Sequence, residues 1–118
     1  VEDNEKNMKL FRDVLVATGF RTLEATTGGE AVDLASEHTP DLVLMDIQLP
    51  DLDGVQALHQ LRANTRTATI PVLALTAQAM RGDRERFLAE GFDGYLSKPV
   101  DVRELIGIVR EHCGEGTP

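Results

Sequence analysis

Hydrophobic positions change their period along the chain, from the three-to-four spacing of a helix to short unbroken runs and back again. Met8, Phe11, Leu15 and Thr18 share one helical face after Asn4, a residue suited to an N-cap, and Gly19 stops the pattern. Arg21 to Ala25 reads as a short extended segment. Thr26-Thr27-Gly28-Gly29 then turns the chain into a second helix carrying Ala31, Val32, Leu34 and Ala35. Beyond Pro40, Leu42-Val43-Leu44-Met45 is continuously apolar, the pattern of a strand covered on both faces, and its end delivers Asp46. Val55, Leu58 and Leu61 predict a third helix after Pro50 and Gly54. Pro71 to Leu75 predicts another buried strand, ending at Thr76. A fourth helix has a weaker pattern, with Met80, Phe87 and Leu88 among charges between Gly82 and Gly91. Tyr95-Leu96 predicts a short strand leading into Ser97-Lys98-Pro99. Val102 to His112 predicts a last helix that turns Leu105, Ile106, Ile108 and Val109 towards a core.

Strand and helix alternate four times, which is an α/β pattern. The first helix joins the scheme only if a strand precedes Asn4. Val1 is not an initiator methionine and acids follow it at once, so the chain reads as cut at its start. The expectation is one domain over residues 1–118 with its first strand largely missing. Right-handed crossovers make such units a doubly wound parallel sheet with helices on both faces, and chemistry gathers at the C-terminal ends of the strands.

Composition narrows the function classes. A chain of 118 residues has room for one core, and its ordinary share of apolar residues argues against intrinsic disorder. Twelve basic against 20 acidic residues leave a net charge of -8, which repels a phosphate backbone and argues against direct nucleic-acid binding. Cys113 is the only cysteine, so no disulfide points to an oxidising compartment and the cytoplasm is expected. The apolar runs Leu42 to Met45 and Val72 to Leu75 span four residues each, far short of the roughly 18 to 20 that cross a bilayer. No membrane insertion and no signal segment are expected.

The strand ends gather a distinctive set of side chains: Glu2 and Asp3, Asp46, Thr76 and Lys98. Three carboxylates on one rim repel one another unless a cation sits among them. Hard oxygen ligands with room for water and phosphate suit Mg²⁺. Lys98 adds a positive charge and Thr76 a hydroxyl donor, the groups a bound phosphoryl needs. No serine or histidine accompanies the acids, so the nucleophile expected is a carboxylate, giving an aspartyl phosphate.

Glu2-Asp3-Asn4, Leu42 to Asp46 with Pro50-Asp51-Leu52-Asp53-Gly54, Leu75-Thr76-Ala77 and Tyr95 to Pro99 together resemble a two-component response-regulator receiver domain. The resemblance covers essentially the whole chain, with four motifs in order. It implies the flavodoxin-like receiver fold, a five-stranded parallel sheet of order 2-1-3-4-5. It also implies that Asp46 is the phosphoacceptor, and that Glu2, Asp3, Asp46 and the main-chain carbonyl of Gln48 hold Mg²⁺. Thr76 and Lys98 resemble the residues that bind phosphoryl oxygens, Tyr95 the aromatic that changes rotamer, and Lys98-Pro99 the cis peptide of the family. The implied partners are a histidine kinase or histidine phosphotransfer protein upstream, and a protein effector or attached output domain downstream. The implied activity is signalling rather than turnover, with at most slow Mg²⁺-dependent self-dephosphorylation.

Other readings are weaker on the residues. An Asp-nucleophile phosphohydrolase needs a general acid two positions after the nucleophile, where Gln48 stands. A phosphorylation-independent pseudo-receiver is expected to have lost some of the acids, the threonine or the lysine. A flavin-binding domain wants a Ser/Thr/Gly-rich loop after its first strand, where Glu2-Asp3-Asn4-Glu5 repels phosphate. Asp51 to Gly54 resembles part of a calcium loop, but aligning Gly54 to the invariant glycine puts Leu49 and Gln60 at the first and last ligands. Asp53 fits better as the N-cap of the third helix. Arg81-Gly82-Asp83 spells an adhesion tripeptide by chance, and His38, His59 and His112 are expected to be solvated.

Overall fold

The computed structural model describes residues 1–2, 4–49, 51, 53–76 and 83–113, excluding the side chains of residues 83, 84 and 113. Eight elements follow in order: α1 (Glu5–Ala17), α2 (Gly28–His38), β1 (Val43–Asp46), α3 (Gly54–Ala63), β2 (Val72–Thr76), α4 (Asp83–Glu90), β3 (Gly94–Ser97) and α5 (Val102–Cys113). The caps lie where the sequence placed them. Asn4 Oδ1 accepts from the N–H groups of Lys6 and Asn7, and Asp53 with Gln56 closes a capping box on α3. Gly19 and Gly91, which end helical segments, have φ of 100° and 114°, a region that favours glycine.

The three strands form one parallel sheet of order β1-β2-β3. Every residue of β2 is buried, which explains its unbroken apolar run. Register puts Met45, Ala74 and Tyr95 side by side on one face and Asp46, Leu75 and Leu96 on the other. The first face packs on Ala31 and Ala35 of α2, Ala57, Leu58 and Leu61 of α3 and Phe87 of α4. The second packs on Phe11 of α1 and on Leu105 and Val109 of α5. Helices therefore cover both faces, as the α/β reading expects.

The expected five strands are not all present: among the described residues the sheet has three. Residues 21–25 and 1–2 are joined by a backbone bond but form no ladder. Val1 donates its nitrogen to Leu44 O (2.6 Å) and accepts from Asp46 N (3.1 Å), while Glu2 N donates to Ala25 O (2.9 Å). A ladder needs such bonds repeated along both chains. A cleft of about 890 Å³ lies beside these residues, with Phe11, Leu15, Leu23, Leu34 and Val43 among its lining.

At the end of the sheet away from Asp46, one arginine holds the chain connections together. Arg62 of α3 donates to Ile70 O (2.6 Å), Ala68 O (3.2 Å) and Gly91 O (3.3 Å), and pairs with Asp93 Oδ2 (3.0 Å). The same Asp93 oxygen accepts Val72 N (2.8 Å) at the start of β2. No described helix is long and apolar enough to cross a membrane.

Candidate functional site

The C-terminal ends of β1, β2 and β3 bring Asp46, Thr76 and Lys98 to one rim, because a parallel register starts all three strands at one level and ends them at another. Asp46 and Thr76 are buried, and Glu2, placed beside β1 by the bonds of Val1, is only 1% exposed. Lys98 follows Ser97 out of the sheet, and its N–H donates to Thr76 O (2.7 Å), which ties the two strand ends together. Its ammonium Nζ lies 2.7 Å from Glu2 Oε2 and 2.7 Å from Asp46 Oδ2. One cation thus bridges two carboxylates. The Lys98-Pro99 peptide is cis, as the resemblance implies.

These contacts set the ionisation of the group. Burial pushes the Glu2 carboxyl above its ordinary range, the Lys98 contact opposes that shift, and the Asp46 charge adds to it. Burial draws the Lys98 ammonium downward, but its hydrogen bond to Asp46 and its contact with Glu2 outweigh burial, so its pKa is raised. Lys98 stays charged. Glu2 Oε1 accepts from Asn4 N (3.3 Å), whereas the buried Oε2 accepts no well-aligned hydrogen bond despite its close ionic contact with Lys98.

An under-satisfied carboxylate oxygen beside a second carboxylate is a donor set that fits a hard divalent cation. Among the described residues no group of three or more His, Cys, Asp or Glu side chains is arranged to hold a metal. Asp3, the third expected carboxylate, lies outside the described residues, as do Pro50, Leu52 and the segment 77–82. Gln48 N donates to Asp46 Oδ1 (3.0 Å), which orients the acid and fixes the start of the loop that carries the Gln48 carbonyl.

Tyr95 is half-buried on the face of the sheet that also carries Ala74, two residues along β2 from Thr76. Its ring meets that of Phe87 at 5.9 Å. The ring therefore packs against α4 on the face of the sheet that also carries Ala74. Of the three histidines, His38 is exposed, while His59 Nε2 lies 3.4 Å from Glu90 Oε2 and His112 Nδ1 is 2.9 Å from Ile108 O. The last two have partners that sequence reading did not foresee.

Two further residues shape the site. Gly54 approaches so closely that a Cβ there would lie 2.6 Å from Asp46 O. Asp51 leaves the loop and reaches the start of α2, where it accepts from Gly28 N (2.8 Å) and Gly29 N (2.9 Å). Sequence placed Asp51 in a motif, but its partners lie 23 and 22 positions away and carry no side chain to mark the contact.

Known proteins resemble this arrangement closely. Residues 1–110 match the response regulator receiver domain family. The polar-differentiation response regulator DivK of Brucella ovis is 48% identical over 115 residues, covering 98% of this chain and 94% of that protein. The receiver domain of the sensor histidine kinase PA1611 from Pseudomonas aeruginosa PAO1, which has a magnesium ion coordinated in its active-site cleft, is 38% identical. It superposes with a TM-score of 0.88 over 97% of this chain and 93% of its own. The receiver domain of the Francisella response regulator 1452 is 30% identical, with a TM-score of 0.86 over 93% and 89% of the two chains. On family match, identity and fold together, the chain belongs to the response regulator receiver domains, the signalling modules of two-component systems.

Proposed function

We propose that Asp46 is the phosphoacceptor of this receiver and takes its phosphoryl group from a phosphohistidine on a histidine kinase or histidine phosphotransfer protein. The observation that carries this reading is the convergence of Asp46, Glu2 and Lys98 at the strand ends, with one ammonium 2.7 Å from both carboxylates. A carboxylate oxygen of Asp46 forms the new O–P bond while the P–N bond breaks, and the imidazole nitrogen keeps that electron pair. Lys98 stays charged beside Asp46 and meets the phosphoryl oxygens, and Thr76 offers its hydroxyl from the neighbouring strand. Glu2, Asp3, Asp46 and the carbonyl of Gln48 would hold Mg²⁺, which when bound supplies positive charge against acids and phosphate alike. With Gln48 two positions after the nucleophile, no side chain there moves a proton, which favours a signalling role over turnover.

Residues 1–118 act in this reading as one receiver unit. Its sheet order is 2-1-3-4-5, with 21–25 and 1–2 as the second and first members beside β1; the bonds of Val1 and Glu2 support that order. The output passes to a downstream protein effector or an attached output domain, and the cytoplasm is the compartment proposed.

Acetyl phosphate should label the protein with one phosphoryl equivalent when Mg²⁺ is present and leave it unlabelled in excess chelator. Without a cation, three acids and an incoming phosphate cannot assemble on one rim. Equal labelling with chelator would remove the metal from this reading.

A second expected result concerns the switch. Lys98 N already bonds Thr76 O, so drawing Lys98 and Thr76 to one phosphoryl oxygen moves the ends of β2 and β3 together. Tyr95 then turns inward and leaves Phe87. Such couplings are typically about 1 to 3 kcal/mol, so the shift is partial and reversible. Amide shifts recorded with beryllofluoride should change at Phe87, Tyr95 and along α5 as well as around Asp46, and Thr76→Ala should confine them. Changes that stop at the Asp46 pocket in the wild type would refute the switch.

A further inference from the structure

The loop between Asp46 and Gly54 is tied down at three points. At its start Gln48 N donates to Asp46 Oδ1 (3.0 Å), and at its end Gly54 N donates to Ile47 O (2.8 Å). Between them Asp51 reaches the start of a neighbouring helix and takes Gly28 N on Oδ1 (2.8 Å) and Gly29 N on Oδ2 (2.9 Å). Those are the first two N–H groups of α2, which the helix itself cannot satisfy. The helix's own cap does not reach them: Thr27 Oγ1 accepts Glu30 N (3.1 Å), and Glu30 Oε1 turns back to Thr26 N (2.9 Å). A carboxylate is the favoured partner at that end of a helix. The fit is close, since a Cβ on Gly29 would stand 3.2 Å from Asp51 Oδ2.

We propose that Asp51 is a positioning residue for the acceptor site: its two-pronged bond to α2 fixes the loop that presents the Gln48 carbonyl, and so sets the affinity for the divalent cation. This rests on the reading of Asp46 and Gln48 given above. Asp51 itself touches neither the phosphoryl group nor the cation. Its carboxylate accepts from the first two N–H groups of α2, so its influence on Gln48, three positions earlier in the chain, is indirect. The bond also makes α2 part of the site's scaffold, with the N-terminus of α2 and the acceptor loop moving as one body.

The test uses wild type, Asp51→Ala and Asp51→Asn, each titrated with Mg²⁺ while amide shifts are followed, with hydrogen exchange at Gly28 and Gly29 measured in parallel. Asp51→Ala should speed exchange at both glycines and weaken Mg²⁺ by roughly tenfold, the low end of what supporting residues of metal sites contribute. Asp51→Asn, which keeps one acceptor oxygen in the same shape, should recover part of the affinity. A stability change alone would slow or speed exchange throughout the chain and leave the Mg²⁺ midpoint of the folded protein where it was. If the wild type binds Mg²⁺ and Asp51→Ala binds it equally well, the positioning role is overturned while the acceptor reading stands. If the wild type gives no Mg²⁺ response, both fall together.

Discussion

Asp46→Asn should abolish phosphoryl uptake from acetyl phosphate while the protein stays folded, with a melting temperature unchanged or slightly raised. The loss follows from chemistry: an amide oxygen is too weak a nucleophile to displace the leaving group, and Glu2, the other described acid at the rim, is buried and held in an ion pair with Lys98. The stability sign follows from counting charges. Asn retains one oxygen, which keeps the bond from Gln48 N, while its amide nitrogen replaces the oxygen that accepts from Lys98, so that second bond is lost. Lys98 keeps Glu2 as an ionic partner, and the repulsion that Asp46 exerts on the buried Glu2 carboxyl disappears. The lost attraction and hydrogen bond between position 46 and Lys98 oppose that relief, and the two effects offset one another while Lys98 keeps Glu2 as its partner. Intact mass after exposure to acetyl phosphate and Mg²⁺, read beside a thermal melt, checks both halves. Full labelling of the variant, mapped to another residue, would overturn the assignment of Asp46.

The parts of this site that were legible in the sequence are those fixed by strand ends. An unbroken apolar run must stop where the sheet meets water, and the polar residue at the stop is placed on the rim whatever the loops do. That is why Asp46, Thr76 and Lys98 converge as expected, with Asp46 and Thr76 closing β1 and β2 and Lys98 one residue beyond β3. Local caps were legible for the same reason: Asn4 and Asp53 act within three residues of themselves. The bonds of Asp51 to Gly28 and Gly29 and of Arg62 to Gly91 were not, because each joins residues more than 20 positions apart through a backbone atom that every residue carries. The segment 21–25 shows a third case. Its pattern predicted a strand, but pairing is a property of two chains, and among the described residues one backbone bond, from Glu2 N to Ala25 O, reaches it from the neighbouring segment.

Gly54→Ala should destabilise the protein by about 2 to 3 kcal/mol, lowering its melting temperature by roughly 10 °C, and should weaken phosphoryl uptake as well. Helix propensity alone argues the other way, since alanine is favoured over glycine within a helix by up to about 1 kcal/mol. Geometry decides against it. A Cβ on Gly54 would lie 2.6 Å from Asp46 O and 2.9 Å from Ile47 Cα, and both are backbone atoms that no rotamer change can move aside. The Asp46–Ile47 peptide would have to retreat while Ile47 N is bonded to Leu75 O (3.0 Å) and Ile47 O accepts Gly54 N (2.8 Å). Any retreat therefore stretches a bond between the sheet and the acceptor loop and rotates the acid itself. Gly107 supplies the control: it lies inside α5, where an added Cβ would meet nothing within 4 Å. Gly107→Ala should accordingly stabilise by up to about 1 kcal/mol and leave phosphoryl uptake unchanged. Chemical denaturation of both variants reads the two signs directly. A Gly54→Ala protein as stable as the Gly107→Ala protein would show that the acceptor loop yields freely, and the tight seating of Asp46 described here would be wrong.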